Sequence, residues 1–159
     1  MITVLQQQYA MTKGSRAFVL NFIETEIGAD LNTPVPAYEN NTICYLLEHV
    51  ASCYFNWLGY FALKQPVGQL NDTGFNTSVL IRQLYSNVDE VVNAFLENFK
   101  DKLEIPITGV HNRNGQLSAT PLQLFTHVLT HEFHHKGQIM TMCRLLGHIP
   151  PDTDVSRLF

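Results

Sequence analysis

The sequence is short of charge, of paired cysteines and of long apolar runs, and each shortage removes a class of function. Asp, Glu, Lys and Arg make up only 15% of the chain, the formal net charge is −4, and Lys and Arg form no run. Phosphate backbones are bound by clustered cations, so nucleic acid is excluded as a general partner. No apolar stretch approaches the ~20 residues that cross a bilayer. The opening residues, Met1-Ile2-Thr3-Val4-Leu5-Gln6-Gln7-Gln8, lack the basic start and long apolar core of a secretory signal. No membrane partner is expected. The three cysteines, Cys44, Cys53 and Cys143, are odd in number and widely spaced, with no C-x-x-C pair. They predict reduced thiols in a cytoplasmic protein.

What is present is a globular composition. A chain of 159 residues, 45% of them hydrophobic, fits a single domain, 1–159, with a substantial core. Leu5, Tyr9, Phe18, Phe22 and Ile23 recur at helical spacing and predict a first helix over about 3–27, bent at Gly14-Ser15 and stopped at Gly28. Residues 30–41 hold Pro34, Pro36 and three asparagines and read as a loop. Asn41 or Thr42 caps a second helix to about residue 63, ended by Pro66 and Gly68. A polar loop at 69–76 precedes a third helix over about 77–103. Its apolar face is Val79, Leu80, Leu84, Val88, Val91, Val92, Phe95, Leu96 and Phe99. Residues 105–120, with Pro106, Gly109 and the turn pair Asn114-Gly115, read as an irregular or hairpin segment. Thr120-Pro121 then opens a fourth helix to about residue 146, stopped by Gly147 and Pro150-Pro151, with 152–159 as a tail. The fold class is all-α: a four-helix bundle, expected up-down-up-down, with that irregular segment before the last helix.

Three of the seven histidines fall within five residues, in the run His131-Glu132-Phe133-His134-His135-Lys136-Gly137-Gln138. On a helix His135 lies about 40° round from His131, and Leu124, Val128, Ile139, Met142 and Leu146 fall within about 80° on the same side. Two imidazoles therefore stand in the middle of an apolar stripe, while His127 and His134 flank it. Polar groups in a core must be satisfied or bound. Two rings one turn apart match a chelating pair. A third ligand must face them from another helix. His49 is again a polar intrusion, here among Tyr45, Leu46, Cys53, Asn56, Trp57 and Tyr60. The candidate metal ligands are thus His49, His131 and His135. Tyr45, Cys53, Asn56, Trp57 and Tyr60 are candidate lining of the approach. Cys53, one turn beyond His49, is placed to be a fourth ligand, but free cysteine is commonly just buried and the core-thiol reading is favoured. His111 and His148 read as surface or capping residues.

Three neutral imidazoles leave a divalent cation its charge and open coordination positions, the arrangement of catalytic zinc. Such a cation lowers the pKa of water or of a substrate thiol. Imidazole also suits nickel, iron and copper. The same run spells H-E-x-x-H, in which a zincin peptidase uses the Glu as general base. Glu132 occupies that place, but Gln138 and Thr141 stand where the metzincin extension needs Gly and His, and little chain follows to supply a carboxylate ligand. Glu132 also lies about 100° from His131, off the stripe, and reads as a surface or second-layer carboxylate.

Leu46-Leu47-Glu48-His49 with Trp57, then His131, His134-His135-Lys136-Gly137-Gln138-Ile139, then Leu145-Leu146-Gly147-His148 resemble the DinB/YfiT-like family of metal-binding helical bundles. The resemblance spans most of the chain. It implies a four-helix bundle, often dimeric, that holds a divalent metal, zinc or nickel, through His49, His131 and His135. Members include thiol-dependent S-transferases and a mycothiol-dependent isomerase. The resemblance therefore suggests a metal-activated low-molecular-weight thiol that attacks a small electrophile, with no protein nucleophile required; related hydrolase or isomerase chemistry is the neighbouring reading. The alternative is a non-catalytic, metal-dependent small-molecule binding or stress-response protein. A homodimer has a separate indication. Leu122, Leu129, Phe133 and Met140 make the fourth helix apolar on the side opposite His131, and a helix apolar on both sides is usually buried on both.

Overall fold

A computed structural model describes residues 2–66, 76–111 and 115–159. Four helices carry the fold: α1 (Ile2–Phe22), α2 (Ile43–Tyr54), α3 (Ser78–Phe99) and α4 (Pro121–Leu145). Before α4 lies an antiparallel hairpin of β1 (Ile107–His111) and β2 (Gly115–Ala119), with Ile107 opposite Ala119 and His111 opposite Gly115. The mainly helical bundle expected from the sequence is what forms, and the irregular segment closes as the hairpin. Gly68, the loop at 69–75 and Asn114 lie outside the described residues. Among the described residues no helix is long and apolar enough to cross a membrane.

Helix starts and stops are chemically explicit. The hydroxyls of Thr42, Thr77 and Thr120 accept from the backbone N–H three residues on, at 3.0, 3.3 and 3.2 Å. Each satisfies a donor that has no partner inside its helix. At Thr120 the cap is reciprocal, because its own N–H donates to the Gln123 side chain at 2.8 Å, and Pro121 takes the first helical position. At the other end of α4 Gly147 adopts φ 91°, while the N–H groups of Gly147 and His148 reach back to the carbonyls of Arg144 and Cys143 at 3.0 Å each. This six-to-one closure needs a left-handed residue, which glycine supplies without strain.

Each of α1 and α2 packs against both α3 and α4. The shared core includes Leu84, Val88, Val92 and Phe95 of α3, all fully buried, and Phe125 and Val128 of α4. Phe95 and Phe125 lie with near-parallel rings 6.4 Å apart. The first turn of α3 departs from the expected face: Val79 is 68% and Leu80 41% exposed, ahead of the point where the helix meets the bundle. On the far side of α4, Met140 is buried, while Leu122, Leu129 and Phe133 are half-buried.

Two features differ from a plain reading of helical spacing. First, α1 runs unbroken through Gly14. That glycine marks a close approach rather than a bend: a Cβ there would come within 2.6 Å of the Leu158 side chain. The tail packs on this spot, and Ser15 Oγ donates to the Thr153 carbonyl at 2.7 Å. Lys136 Nζ donates to that carbonyl and to Ser15 Oγ, both at 2.8 Å, tying α4 to the same place. Second, α2 does not continue as an α-helix. Phe55–Ala62 is a π-helix, and Leu63 N–H bonds the Leu58 carbonyl five residues back. Wider turns hold more residues, so faces drift from the α-helical period beyond Tyr54.

Candidate metal centre

The α2 and α4 helices meet where their polar intrusions face one another. His49, His131 and His135 place one ligand atom each within 4.8 Å of the others. His131 Nε2 lies 3.2 Å from His49 Nε2. The ring centroids of His131 and His135 are 4.4 Å apart, and those of His49 and His135 4.8 Å. Two nitrogens bound at Zn–N of about 2.0–2.1 Å with a tetrahedral angle stand about 3.3 Å apart. The His131–His49 pair matches that spacing, and the His135 ligand atom lies within 4.8 Å of both, so the three can converge on one divalent cation.

The surroundings of His131 and His135 suit ligation. His135 Nδ1 lies 2.6 Å from Gln138 Oε1. An Nδ1–H donated to that carbonyl leaves the Nε2 lone pair available, and such partners orient metal-binding imidazoles. Burial, then the neighbouring imidazoles led by His135, pushes His131 down to about 4, and burial lowers His135 as well. Both are neutral at pH 7, as ligation requires.

That shift has a consequence for the metal-free protein. In the unfolded chain His131 takes up a proton near pH 6.5, whereas in the fold it resists protonation down to about 4. Its contribution is complete above the unfolded value and is lost as pH falls from about 6.5 towards 4. Thermal melts of metal-free protein should show the midpoint falling across that window, and His131→Ala should flatten the slope. A midpoint unchanged down to pH 4.5 would refute the assignment.

A cavity of about 260 Å³ opens beside the cluster, lined by His49, Ser52, Cys53, Asn56, Trp57, His111, His127 and His131. Of the residues expected on the approach, Cys53, Asn56 and Trp57 are on its wall; Tyr45 and Tyr60 are not. Tyr45 is 50% exposed and stacks beside His49 at 6.3 Å. Tyr60 falls in the π-helix, and the wider turn carries it off the face that α-helical spacing assigns to it. Cys53 is buried, and burial, then Glu132, pushes its thiol up to about 12. By itself it is no nucleophile at neutral pH.

His111 is not the surface residue expected. It is 7% exposed, and its ring lies parallel to that of Trp57 at 4.1 Å. The hairpin brings it there. Gly109, on the same strand face, approaches the π-helix so closely that a Cβ would meet Phe61 at 3.2 Å and Lys64 Nζ at 2.7 Å. Glycine permits that contact, and period-two alternation through Ile107, Gly109 and His111 is the signal that points His111 inward. His148 combines its backbone role at the end of α4 with a 3.0 Å contact between Nε2 and Asp30 Oδ2.

Glu132 is neither a surface carboxylate nor an available base. It is 7% exposed. Arg16 Nε and NH2 donate to its two oxygens at 2.7 and 2.8 Å, and Tyr54 Oη donates to Oε2 at 2.5 Å. Arg16 extends the network to Asp89 at 2.9 Å, where Tyr9 Oη also donates and Lys13 pairs at 2.8 Å. Burial alone would lower the Arg16 pKa, but the Glu132 carboxylate, helped by Tyr9 and Tyr54, more than offsets it and the guanidinium is held charged. Tyr85 lies beneath Arg16, 4.6 Å from its ring centroid. A general base needs a free lone pair facing the reacting water. Here Glu132 is committed to its counter-ion.

Compared with known families, the chain matches the DinB family over residues 1–159, its whole length. No curated protein matches it.

Proposed function

The chain belongs to the DinB family over its whole length, and from that premise we propose a metal-dependent thiol S-transferase. In this reading His49, His131 and His135 hold one zinc or nickel ion. The observation that carries it is the 3.2 Å approach of two imidazole nitrogens beside a cavity of about 260 Å³. A cation held there supplies Lewis acidity, which lets a low-molecular-weight thiol react as its thiolate near neutral pH.

The chain's own residues bind and orient. The three neutral imidazoles leave the cation its full charge, and Gln138 fixes the His135 ring. Trp57 and His111, stacked on one another, offer a flat wall for the carbon skeleton of a small electrophile. Ser52 and Asn56 supply polar groups on the same wall. A sulfur–carbon bond forms as the bond from carbon to its leaving group, such as a halide, breaks; the leaving group takes the electron pair and the thiol proton passes to solvent. Cys53 takes no part as nucleophile, in keeping with its suppressed ionisation. Free thiols at all three cysteines suit a reducing, cytoplasmic setting.

Protein loaded with zinc or nickel should consume a small thiol with a halogenated electrophile and release halide in equal amount. Equal rates with and without bound metal would sink the reading. Tight binding of the thiol without turnover would leave a binding protein in its place.

A further inference from the structure

A second group of donors shares one histidine with the first. Cys53 of α2 with His127 and His131 of α4 also place their ligand atoms within 4.8 Å of one another. Cys53 Sγ lies 3.6 Å from His127 Nε2. Zn–S of about 2.3 Å and Zn–N of about 2.0–2.1 Å at a tetrahedral angle put sulfur and nitrogen about 3.6 Å apart. All three residues line the 260 Å³ cavity, whereas His135 of the three-histidine group does not. His127 is exposed, which gives a cation a way in.

We propose that Cys53, His127 and His131 form a second, thiolate-bearing cation position, alternative to the three-histidine one, and that the softness of the cation selects between them. A neutral imidazole has one lone pair, so His131 serves one position at a time. The two groups then hold one cation between them, not two. Thiolate prefers soft ions such as cadmium and copper(I), while an all-imidazole set suits nickel. Occupancy of the cysteine position forms a metal–sulfur bond and releases the Sγ proton to solvent, with no redox change. A cation there sits on the cavity wall and displaces whatever the cavity would receive, so soft metals should bind without supporting thiol transfer. The proposal does not depend on that transfer.

Cadmium and nickel separate the two positions. Titrating metal-free protein with cadmium should produce a thiolate-to-cadmium charge-transfer absorption in the ultraviolet that saturates at one equivalent. Cys53→Ser should lose the band, and so should His127→Ala, a change at an exposed position that leaves the core intact. His49→Ala and His135→Ala should keep it. A missing band in the wild type, a band surviving Cys53→Ser, or saturation at two equivalents would overturn the proposal. So would loss of the band in His135→Ala, because Cys53 would then be a fourth ligand of the three-histidine position. Nickel binding followed by calorimetry reads the other position: it should vanish in His49→Ala and His135→Ala and persist in Cys53→Ser. Either group can fail in this design without the other.

Discussion

His131→Ala should remove bound divalent metal altogether, lowering affinity by more than about a hundredfold. Partners outside the ligand set alone are worth 10–100-fold in metal affinity, and His131 is a donor in both groups. Its ring lies 4.4 Å from that of His135 and 5.1 Å from that of His49 by centroids. The fold should survive the change. The ring is only partly buried and neutral, and its loss leaves no charge unpaired. The readout is therefore a difference between variants. A ligand that binds only the folded state stabilises it by about 2.7 kcal/mol at one hundred times its Kd. Saturating zinc or nickel should raise the melting temperature of the wild type and leave that of His131→Ala unmoved. An equal metal-induced rise in both proteins would show that the cation binds elsewhere, and thiol transfer should disappear in step with the metal.

Glu132→Ala should cost about 3–5 kcal/mol of stability, the usual cost of removing one partner from a buried ion pair. A domain of this kind is stable by about 5–15 kcal/mol in all. The loss leaves Arg16, 6% exposed, without the carboxylate that holds two of its donors, and leaves the Tyr54 hydroxyl without its acceptor. Glu132→Gln should fall between, since an amide accepts from Arg16 but supplies no charge. Replacing the pair together, as Arg16→Met with Glu132→Leu, should recover part of the loss, because two apolar residues of similar volume need no partner; Asp89 keeps Lys13, while the Tyr54 hydroxyl still lacks its acceptor. Denaturant unfolding measures this directly. Were Glu132 a peptidase base, Glu132→Gln would instead leave stability intact and abolish metal-dependent cleavage.

The helix ends show what local chemistry can carry. Thr42, Thr77 and Thr120 are readable because a cap involves residues three apart, and Gly147 because a left-handed residue is needed in one place. The α4 stripe is readable for the same reason. Leu124, Val128, Ile139 and Met142 are buried as their spacing requires, and His131 and His135 lie among them. His49 stands out by the same reasoning on α2. Its meeting with the α4 pair is an inference from two separate intrusions, and the geometry brings the three rings together.

Where the period itself changes, sequence reasoning slips. Tyr60 is assigned to the approach on an α-helical count, and the π-helix from Phe55 to Ala62 turns it away. His111 is missed because the alternation that points it inward runs through only three positions of a segment read as irregular, and its place against Trp57 follows from where the hairpin docks.

Glu132 marks the boundary most sharply. In the sequence it completes H-E-x-x-H and sits off the apolar stripe, which leaves it looking exposed or catalytic. Its partner Arg16 lies 116 residues earlier, among residues whose spacing says only that α1 has a buried face. Periodicity, capping and turn residues act over three or four positions, so the sequence by itself determined the four helices, the threonine starts of three of them, the glycine stop of the last, and that His131 and His135 stand in an apolar stripe. Ion pairs, shared ligands and cavity walls join side chains from different elements. Only the tertiary structure decided that Glu132 is the counter-ion of Arg16, that Cys53 and His127 face each other, and that His131 stands between two possible seats for one cation.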